Sequence, residues 1–269
     1  MSRLKLFIEY DGTRYSGWQM QRDAKSIQGK LYEAAEKIFN GERIEIYGSG
    51  RTDAGVHALC QVAHLEVKTM LAPEIIRVKM NDVLPADINI IEVEKAHPKF
   101  HARYDATSRI YLYQISRRRT AFGKPFVWWI KDKLDFTKME KASKHFIGMH
   151  DFVSFADKDS PASPAAGEEK STKVLIEDLQ LKEDGDLILI RIMGSHFLWK
   201  QVRRMVGVLV EIGRGKLEAK DLVYFLEHKS PTPAKYTAPP SGLFLEKVLY
   251  KNEKLNSELV SLIAIGRNI

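Results

Sequence analysis

The sequence has little of several features that define other classes of protein. Its 269 residues include a single cysteine, Cys60, so an internal disulfide is impossible and a disulfide-stabilised secreted domain is not indicated. No apolar run reaches the roughly 20 residues that a membrane-spanning helix needs. The first residues read as a strand and lack the apolar core of a signal peptide. Together these absences predict a soluble, cytoplasmic protein.

Motifs for metals and common cofactors are also missing. There is no Walker loop and no G-x-G-x-x-G after a strand, so a nucleotide cofactor has no anchor. His57, Cys60 and His64 are closely spaced, but on a strand His57 faces away from the other two, and a structural zinc site needs four ligands. Cys60 has no helix N-terminus or other evident thiolate stabiliser. The sequence therefore offers no convincing motif for a metal site, a nucleophilic cysteine or a nucleotide cofactor.

The composition is that of a globular protein with an excess of positive charge. Hydrophobic residues make up 44% and charged residues 29%, and the length allows one large or two small domains. The formal net charge is +7 and the sequence pI is near 9.2. This excess of positive charge favours a polyanionic binding partner, and nucleic acid is the leading candidate, although many basic proteins bind no polyanion.

Hydrophobic periodicity predicts an α+β fold in two parts. Leu4, Leu6, Ile8 and Tyr10 alternate as on a half-buried strand, and a helix with Ser26 as N-cap follows. The first part continues with strands and a short helix, and the second repeats this style. Its predicted elements are strands at 106–115, 172–181, 186–194 and 241–250 and helices at 136–148, 196–213 and 218–229. We expect two related α/β lobes with mostly antiparallel sheets flanked by helices, at 1–104 and 105–250, and a tail at 251–269.

Two segments have no clear role in this pattern. Residues 154–172 are rich in Pro, Ser and Ala and read as a mobile loop or lid, with an inert surface insertion as an equal alternative. In the tail, the spacing of Leu255, Leu259 and Leu262 suggests a short helix.

The stretch YGSGRTDAGVHA, residues 47–58, is the first candidate site. It places Arg51 and Asp53 on a turn that carries Gly48, Gly50 and Gly55. Asp and Gly are default turn residues, and on composition alone the structural interpretation is favoured. The functional interpretation is that the glycines let a ligand come close to the backbone, while Arg51 binds a phosphate or fills a gap.

Two further groups of residues carry positive charge. In FHARYDATSRIYLY, residues 100–113, strand alternation puts Arg109, Tyr111 and Tyr113 on one face, as in a surface that stacks bases and binds phosphate. The basic residues around this face are His101, Arg103, Arg117, Arg118, Arg119 and Lys124. Arg203 lies in a long helix whose later half is apolar nearly all round, which predicts burial. We therefore expect an anionic partner for Arg203, with Asp53 as one candidate and a structural ion pair as the alternative.

Several of these motifs together resemble the tRNA pseudouridine synthases of the TruA type. The resemblance rests on GRTDAGVHA with EYDGTRYSGWQMQ before it and QVAHL after it, and the G-R-T-D-A-G-V-H-A run is highly specific. It continues through FHARYDATSRIYLY, HDFVSFA and HFLWKQVRRMVGVLVEIG to SGLFLEKVLY, nearly the whole chain up to Tyr250. Gln201 departs from the apolar residue expected there. Where the family often carries an arginine, the nearest basic residue is Lys173, and the 154–172 loop is unusually rich in Ala and Pro.

The resemblance implies an enzyme that converts uridine to pseudouridine at positions 38–40 in the anticodon stem-loop of tRNA. It implies a basic RNA-binding cleft between two lobes, a homodimer, no metal and no cofactor. By position, Asp53 is the catalytic aspartate, Arg51 enters the RNA as the uridine leaves its stack, Tyr111 lies against the target base, and Arg203 pairs with the aspartate. Arg103 and Arg109 are further candidates for RNA binding.

Two alternatives remain open from the sequence. A tRNA-binding protein without catalytic activity would keep the arginines and tyrosines but would not need Asp53. A pseudouridine synthase for another RNA site would share the chemistry, because the choice of site depends on geometry that the sequence does not contain.

Overall fold

The structure is a computed structural model that describes residues 1–157 and 171–263. In these residues the chain forms an α+β fold of two compact units. The strands are β1 Ser2–Tyr10, β2 Glu45–Gly48, β3 His57–Val67, β4 Ile88–Lys95, β5 Ala106–Ser116, β6 Trp128–Trp129, β7 Gly148–Asp151, β8 Lys173–Asp184, β9 Leu187–Gly194 and β10 Leu243–Tyr250. The α-helices are α1 Ile27–Phe39, α2 Pro73–Val83, α3 Phe136–Ser143, α4 Gln201–Gly213, α5 Ala219–Glu227 and α6 Thr232–Lys235.

The first unit contains Met1–Thr107 and Phe244–Leu255. Its sheet has β1 between β4 and β3, both antiparallel to it, and β2 also pairs antiparallel with β3. The alternation predicted for β1 is confirmed, since Leu4, Leu6, Ile8 and Tyr10 are all buried. Helix α1 begins as predicted, because the Ser26 hydroxyl accepts the Gly29 N–H at 3.2 Å.

The last strand belongs to the first unit, which differs from the sequence-based division into 1–104, 105–250 and 251–269. β10 pairs in parallel with β3, with Phe244 opposite His57 and Leu245 opposite Ala58. The Phe244 ring stacks on the His57 ring at 4.7 Å between centroids. Periodicity identifies a strand but does not tell which sheet it joins, since pairing partners lie far away in sequence.

The second unit contains Ser108–Leu243 and residues from Asn256 onward. Its sheet has the order β5–β9–β8–β7, all antiparallel, and β6 pairs in parallel with the end of β5. β8 and β9 form a hairpin, with Asp184 opposite Leu187 and Gly185–Asp186 in the turn. Gly185 has φ +59°, a conformation that glycine adopts without strain.

Helix α4 is buried along its length except at Arg203. Its predicted start at residue 196 is wrong, because Lys200 takes a left-handed conformation with φ +61° and the helix begins only at Gln201. The fully buried Gln201 accepts the Leu198 N–H through its side-chain oxygen at 2.9 Å. This bond explains an amide where an apolar residue was expected.

The tail is not helical in its described part, residues 251–263, so the predicted helix is wrong there. Carbonyl groups that a helix would use internally accept bonds from side chains of the second unit. Arg191 donates to the Ser257 and Glu258 carbonyls, each at 3.0 Å, and Lys182 donates to the Leu259 carbonyl at 3.0 Å. Of the predicted 154–172 loop, residues 158–170 lie outside the described part of the chain.

Candidate functional site

The candidate site is the turn Gly48–Val56, which connects β2 to β3 in the first unit. The first residues of the turn continue the antiparallel pairing of β2 with β3, since the Ser49 N–H donates to the Val62 carbonyl at 2.7 Å. The Ser49 hydroxyl donates to the Gln61 side-chain oxygen at 2.7 Å, and the Gln61 amide donates back to the Gly50 carbonyl at 3.2 Å. Ser49 and Gln61 are buried, so the first half of the turn has a fixed backbone.

The loop before α1 holds the second half of the turn. Trp18 N–H donates to the Thr52 carbonyl at 3.1 Å, and Gly55 N–H donates to the Tyr15 carbonyl at 3.2 Å. A Cβ at Gly17, which has φ +97°, would lie 2.5 Å from the Thr52 carbonyl oxygen, so only glycine fits there. The motif DGTRYSGWQ therefore supports the turn, although the bonded residues are more than thirty positions apart in sequence.

Asp53 begins a tight turn of its own. Val56 N–H donates to the Asp53 carbonyl at 3.2 Å, and Gly55 has φ +75°, the pattern of a type II turn with glycine at its third position. The Asp53 side chain is half-buried. The glycine and the backbone bonds thus account for the conformation of the turn.

Arg51 is exposed on the same turn. Partial burial and the positive charge of Arg103 both lower the pKa of its guanidinium. Within residues 1–157 and 171–263 it makes no hydrogen bond or ion pair. Two neighbouring guanidinium groups that repel each other favour an anion beside them, as at a phosphate-binding position.

Arg103 lies in a loop, His101–Asp105, that two histidines hold. The Nδ1 atom of His101 accepts N–H bonds from Arg103 at 3.2 Å and from Tyr104 at 3.3 Å. The Nδ1 atom of the buried His64 accepts the Ala102 N–H at 3.1 Å. Burial, with His101 as a further cause, lowers the pKa of His64 to about 4, so its ring is neutral and keeps this acceptor.

The two candidate tyrosines of the second unit are more buried than residues of a base-stacking surface, which must expose a ring face to the RNA. Tyr113 is fully buried, burial raises its pKa, and its hydroxyl donates to the Pro239 carbonyl at 2.8 Å. The prediction that Tyr113 shares a base-stacking surface is therefore wrong. Tyr111 keeps 9% of its surface exposed and meets Phe197 edge to face at 5.2 Å, while Arg109 donates to the Ser195 carbonyl at 2.8 Å.

On helix α4 the buried arginine is Arg204, not Arg203. Arg204 donates to the Ala156 carbonyl and lies 3.3 Å from a carboxylate oxygen of Asp157. Arg203 is half-buried and its Nε donates to the Ala238 carbonyl at 2.7 Å. Burial therefore does not force an anionic partner on Arg203, and its pairing with Asp53 stays a prediction from the resemblance.

The arginines after β5 are engaged in ion pairs, which the sequence analysis did not foresee. Arg117 pairs with Glu183 and also donates to the Gly185 carbonyl at 2.6 Å. Arg118 lies 2.9 Å from Asp186. Opposite charges on the neighbouring hairpin thus neutralise two of the three arginines that we expected to meet phosphates.

Sequence reasoning also missed residues near the turn. Tyr47 stacks on His64 at 5.2 Å, and Tyr104 packs against His101 at 4.2 Å, with both tyrosines exposed. The signal was present, because Tyr47 adjoins Gly48 and Tyr104 adjoins Arg103.

Among the described residues no group of three or more His, Cys, Asp or Glu side chains is placed to hold a metal ion, and no helix there is long and apolar enough to span a membrane.

Comparison with known proteins gives one consistent result. A family model described as tRNA pseudouridine synthase matches residues 6–105 and 142–251. A protein of Rhodopseudomonas palustris strain BisA53 named tRNA pseudouridine synthase A is 43% identical, over 93% of this chain and all of its own length. A Bacillus cereus strain ZK / E33L protein named tRNA pseudouridine synthase A 2 is 37% identical over 92% of this chain and 99% of its own. A Thermoanaerobacter sp. strain X514 protein named tRNA pseudouridine synthase A is 37% identical over 93% of this chain and all of its own.

Proposed function

Because the chain belongs to the tRNA pseudouridine synthase family, we propose that it isomerises uridine at positions 38, 39 and 40 in the anticodon stem-loop of tRNA, with Asp53 as the catalytic residue. The observation that carries the proposal is the Asp53 turn. Its backbone is fixed by bonds to the Tyr15–Trp18 loop, so the fold itself sets the point from which the Asp53 side chain extends.

The reaction rearranges one nucleoside without any change of oxidation state. The bond between N1 and the ribose C1′ breaks, the uracil turns, and a bond forms between C5 and C1′. C5 then loses its proton and N1 gains one, so the product is an isomer of uridine. A carboxylate can serve this sequence as a nucleophile or as a base. Neither role requires a metal or an organic cofactor, and we propose that the enzyme uses none.

The target uridine must leave its stack before the chemistry starts, at a cost of a few kcal/mol. We assign Arg51 to the space that the base vacates, because it lies two residues from Asp53 and extends from the same fixed turn. Arg103 adds charge beside it, since its field reaches the Arg51 guanidinium. Tyr111, Arg109 and Arg203 are assigned to the substrate through the family resemblance.

Asp53→Asn tests the assignment directly. Unmodified tRNA is incubated with the variant without added metal, and pseudouridine is mapped by mass spectrometry. We expect the rate to fall at least about 10³-fold while tRNA affinity changes only a few-fold, because the amide keeps the shape but not the reactivity. Asp82→Asn, on the exposed side of α2, is the matched control and should retain wild-type rate.

The same map tests the choice of uridine. Pseudouridine at 38, 39 and 40 supports the proposal, and pseudouridine elsewhere would identify an enzyme of the same chemistry for another site. If the wild-type protein binds tRNA without forming pseudouridine, the catalytic proposal fails. Substantial turnover by Asp53→Asn would leave Asp53 as a turn residue only.

We also propose that the enzyme is a cytoplasmic homodimer, as the family resemblance implies. Sedimentation equilibrium should then give twice the chain mass of 30.8 kDa. A monomer mass at micromolar concentration would contradict the dimer and would leave the catalytic proposal unaffected.

A further inference from the structure

Four aromatic rings form a continuous cluster next to the Asp53 turn. Tyr47 stacks on His64 with 25° between the ring planes, and His64 meets His101 edge to face at 4.7 Å between centroids. His101 in turn lies 6.0 Å from Tyr47 and 4.2 Å from Tyr104. All four residues belong to the first unit, and Tyr47 directly precedes Gly48 of the turn.

The two tyrosines at the ends of the cluster are exposed. Tyr104 has 77% and Tyr47 has 48% of its surface in contact with solvent, although a histidine packs against each ring. A large ring that is held on one side and open on the other is ready to accept a second flat group on its open side. Little conformational entropy is lost when that group binds, because the histidine contacts already restrict the ring.

The loop that carries Tyr104 is fastened more firmly than its exposure suggests. His101 N–H donates to the Asp105 carboxylate at 2.8 Å, and Asp105 N–H donates to the His101 carbonyl at 3.0 Å. The Tyr250 hydroxyl donates to the Ala102 carbonyl at 2.8 Å. These bonds join the loop to the last strand of the unit, so Tyr104 is presented on a fixed support.

The charge beside the cluster selects the kind of ligand. Arg103 lies in the same loop as Tyr104, and the charges of Arg51 and Arg103 act on one another. Aromatic rings alternating with guanidinium groups are the arrangement that binds unpaired nucleotides, where bases stack on the rings and phosphates meet the arginines. A base in a duplex has both faces covered by its neighbours and cannot stack on a side chain in this way.

We infer that Tyr47, His101 and Tyr104 form a stacking surface for an unpaired nucleotide that flanks the target uridine. This inference rests on the proposed function, and it adds a second position on the substrate besides the one at Asp53. The surface holds the RNA while the uridine leaves its stack, so its loss weakens binding more than it slows the chemical step.

Tyr104→Ala and Tyr104→Phe test the inference, with Tyr224→Ala as the matched control. Tyr224 is 52% exposed and stacks on His228 at 4.5 Å, so it reproduces the tyrosine–histidine pair on α5 of the second unit, away from the Asp53 turn in sequence. We expect Tyr104→Ala to raise Kd for an unmodified anticodon stem-loop by about 5- to 150-fold, the range for one base–aromatic stack. Tyr104→Phe keeps the ring and should bind within about 2-fold of wild type, as should Tyr224→Ala.

A cycle with abasic RNA identifies the stacked base. Single abasic sites are placed in turn at the unpaired positions around the target, and Kd is measured for the wild type and for Tyr104→Ala. At one position we expect the wild type to lose most of its advantage over Tyr104→Ala, because the base that stacks is already gone. If Tyr104→Ala and Tyr224→Ala bind every RNA equally well, the inference is wrong.

Turnover separates this inference from the proposed function. Under single-turnover conditions at saturating RNA, Tyr104→Ala should retain a rate within about 3-fold of wild type, whereas Asp53→Asn should not react. A wild-type protein that forms no pseudouridine overturns the proposed function. An active wild type with unchanged binding in Tyr104→Ala overturns only the stacking surface.

Discussion

Arg51 and Arg117 are both exposed and both lie in the connection that follows a strand, but their surroundings are opposite. Arg117 pairs with Glu183 and caps the Gly185 carbonyl, and Arg118 beside it pairs with Asp186. Arg51 lies in the field of another arginine, and its turn is fastened by backbone bonds and buried neutral side chains. The second unit thus uses positive charge to hold a hairpin, whereas Arg51 makes no ion pair within the described part of the chain and can meet an anionic ligand.

Replacing each arginine in turn by alanine should give the largest difference in activity between the two regions. Arg51→Ala should lower kcat/KM about 100-fold, because the few kcal/mol needed to unstack the uridine are no longer offset. Arg117→Ala should change kcat/KM by less than about 3-fold, since exposed ion pairs contribute little. Both variants are assayed on the same tRNA with thermal melts as a check of folding. Equal losses would show that the ion pair does not remove Arg117 from the RNA-binding surface.

Acid should affect the first unit through His64. Its pKa is lowered to about 4 in the folded protein, chiefly by burial, against about 6.5 in the unfolded chain. The unfolded state therefore binds more protons between these values. The contribution of the neutral His64 ring to the free energy of unfolding is therefore fully present above pH 6.5. It is lost as the pH drops towards 4, by an amount on the order of 3 kcal/mol.

Urea unfolding of the wild type and of His64→Gln at pH 7.5, 6.0 and 4.5 measures this effect. Glutamine keeps an acceptor for the Ala102 N–H but does not titrate, so the variant should lose less stability over the same range. Carboxylates that titrate in acid affect both proteins and cancel in the difference. Parallel curves for the two proteins would mean that His64 is not held neutral by the fold.

Gly48 and Gly50 allow two roles of glycine in the turn to be tested separately: close packing against the protein and close approach of a ligand. A Cβ at Gly48 would lie 2.6 Å from the buried Trp18 ring, whereas a Cβ at Gly50 meets nothing within 4 Å. Gly48→Ala should therefore cost about 1–3 kcal/mol of unfolding free energy, and Gly50→Ala should leave it nearly unchanged. Chemical denaturation measures both. A loss of tRNA affinity in the stable Gly50→Ala variant would place RNA against that part of the turn, while equal stabilities would contradict the packing argument.

The smallest expected effect is a change in the salt dependence of binding. Each arginine that meets a phosphate adds about one unit to the slope of log Kd against log salt. Arg51→Ala should reduce the slope by about one, and Arg118→Ala should leave it unchanged because Asp186 already neutralises that charge. Titrations at four salt concentrations resolve this difference. A reduced slope in Arg118→Ala would show that RNA displaces the carboxylate.

The local sequence pattern predicted most strands and helices well, but it did not predict which strands pair with one another. The alternation of Leu4 to Tyr10 and the cap at Ser26 identified β1 and α1, because both depend on neighbouring residues. The parallel pairing of β10 with β3 joins residues nearly 190 positions apart, and no local signal encodes it. The start of α4 was wrong because one residue, Lys200, leaves the helical conformation where the hydrophobic pattern continues.

The same distinction applies to the site. Arg51 and Asp53 were found because one short, specific motif contains both. The ion pair of Arg117 with Glu183 was missed because its partners are 66 residues apart, and net charge does not reveal pairing. The histidines that hold His101–Asp105 were missed because a neutral, buried imidazole looks the same in sequence as an exposed one.

The place of β10 in the first unit has a consequence for synthesis on the ribosome. Residues 1–107 emerge first, yet the strand that pairs with β3 is made only when translation reaches residues 243–250. The edge of β3 that β10 covers stays without that partner while residues 108–242 are being made. An uncovered strand edge is prone to pair with other chains. We expect nascent chains stalled before residue 243 to be protease-sensitive and to recruit chaperones, and chains released after residue 255 to be resistant.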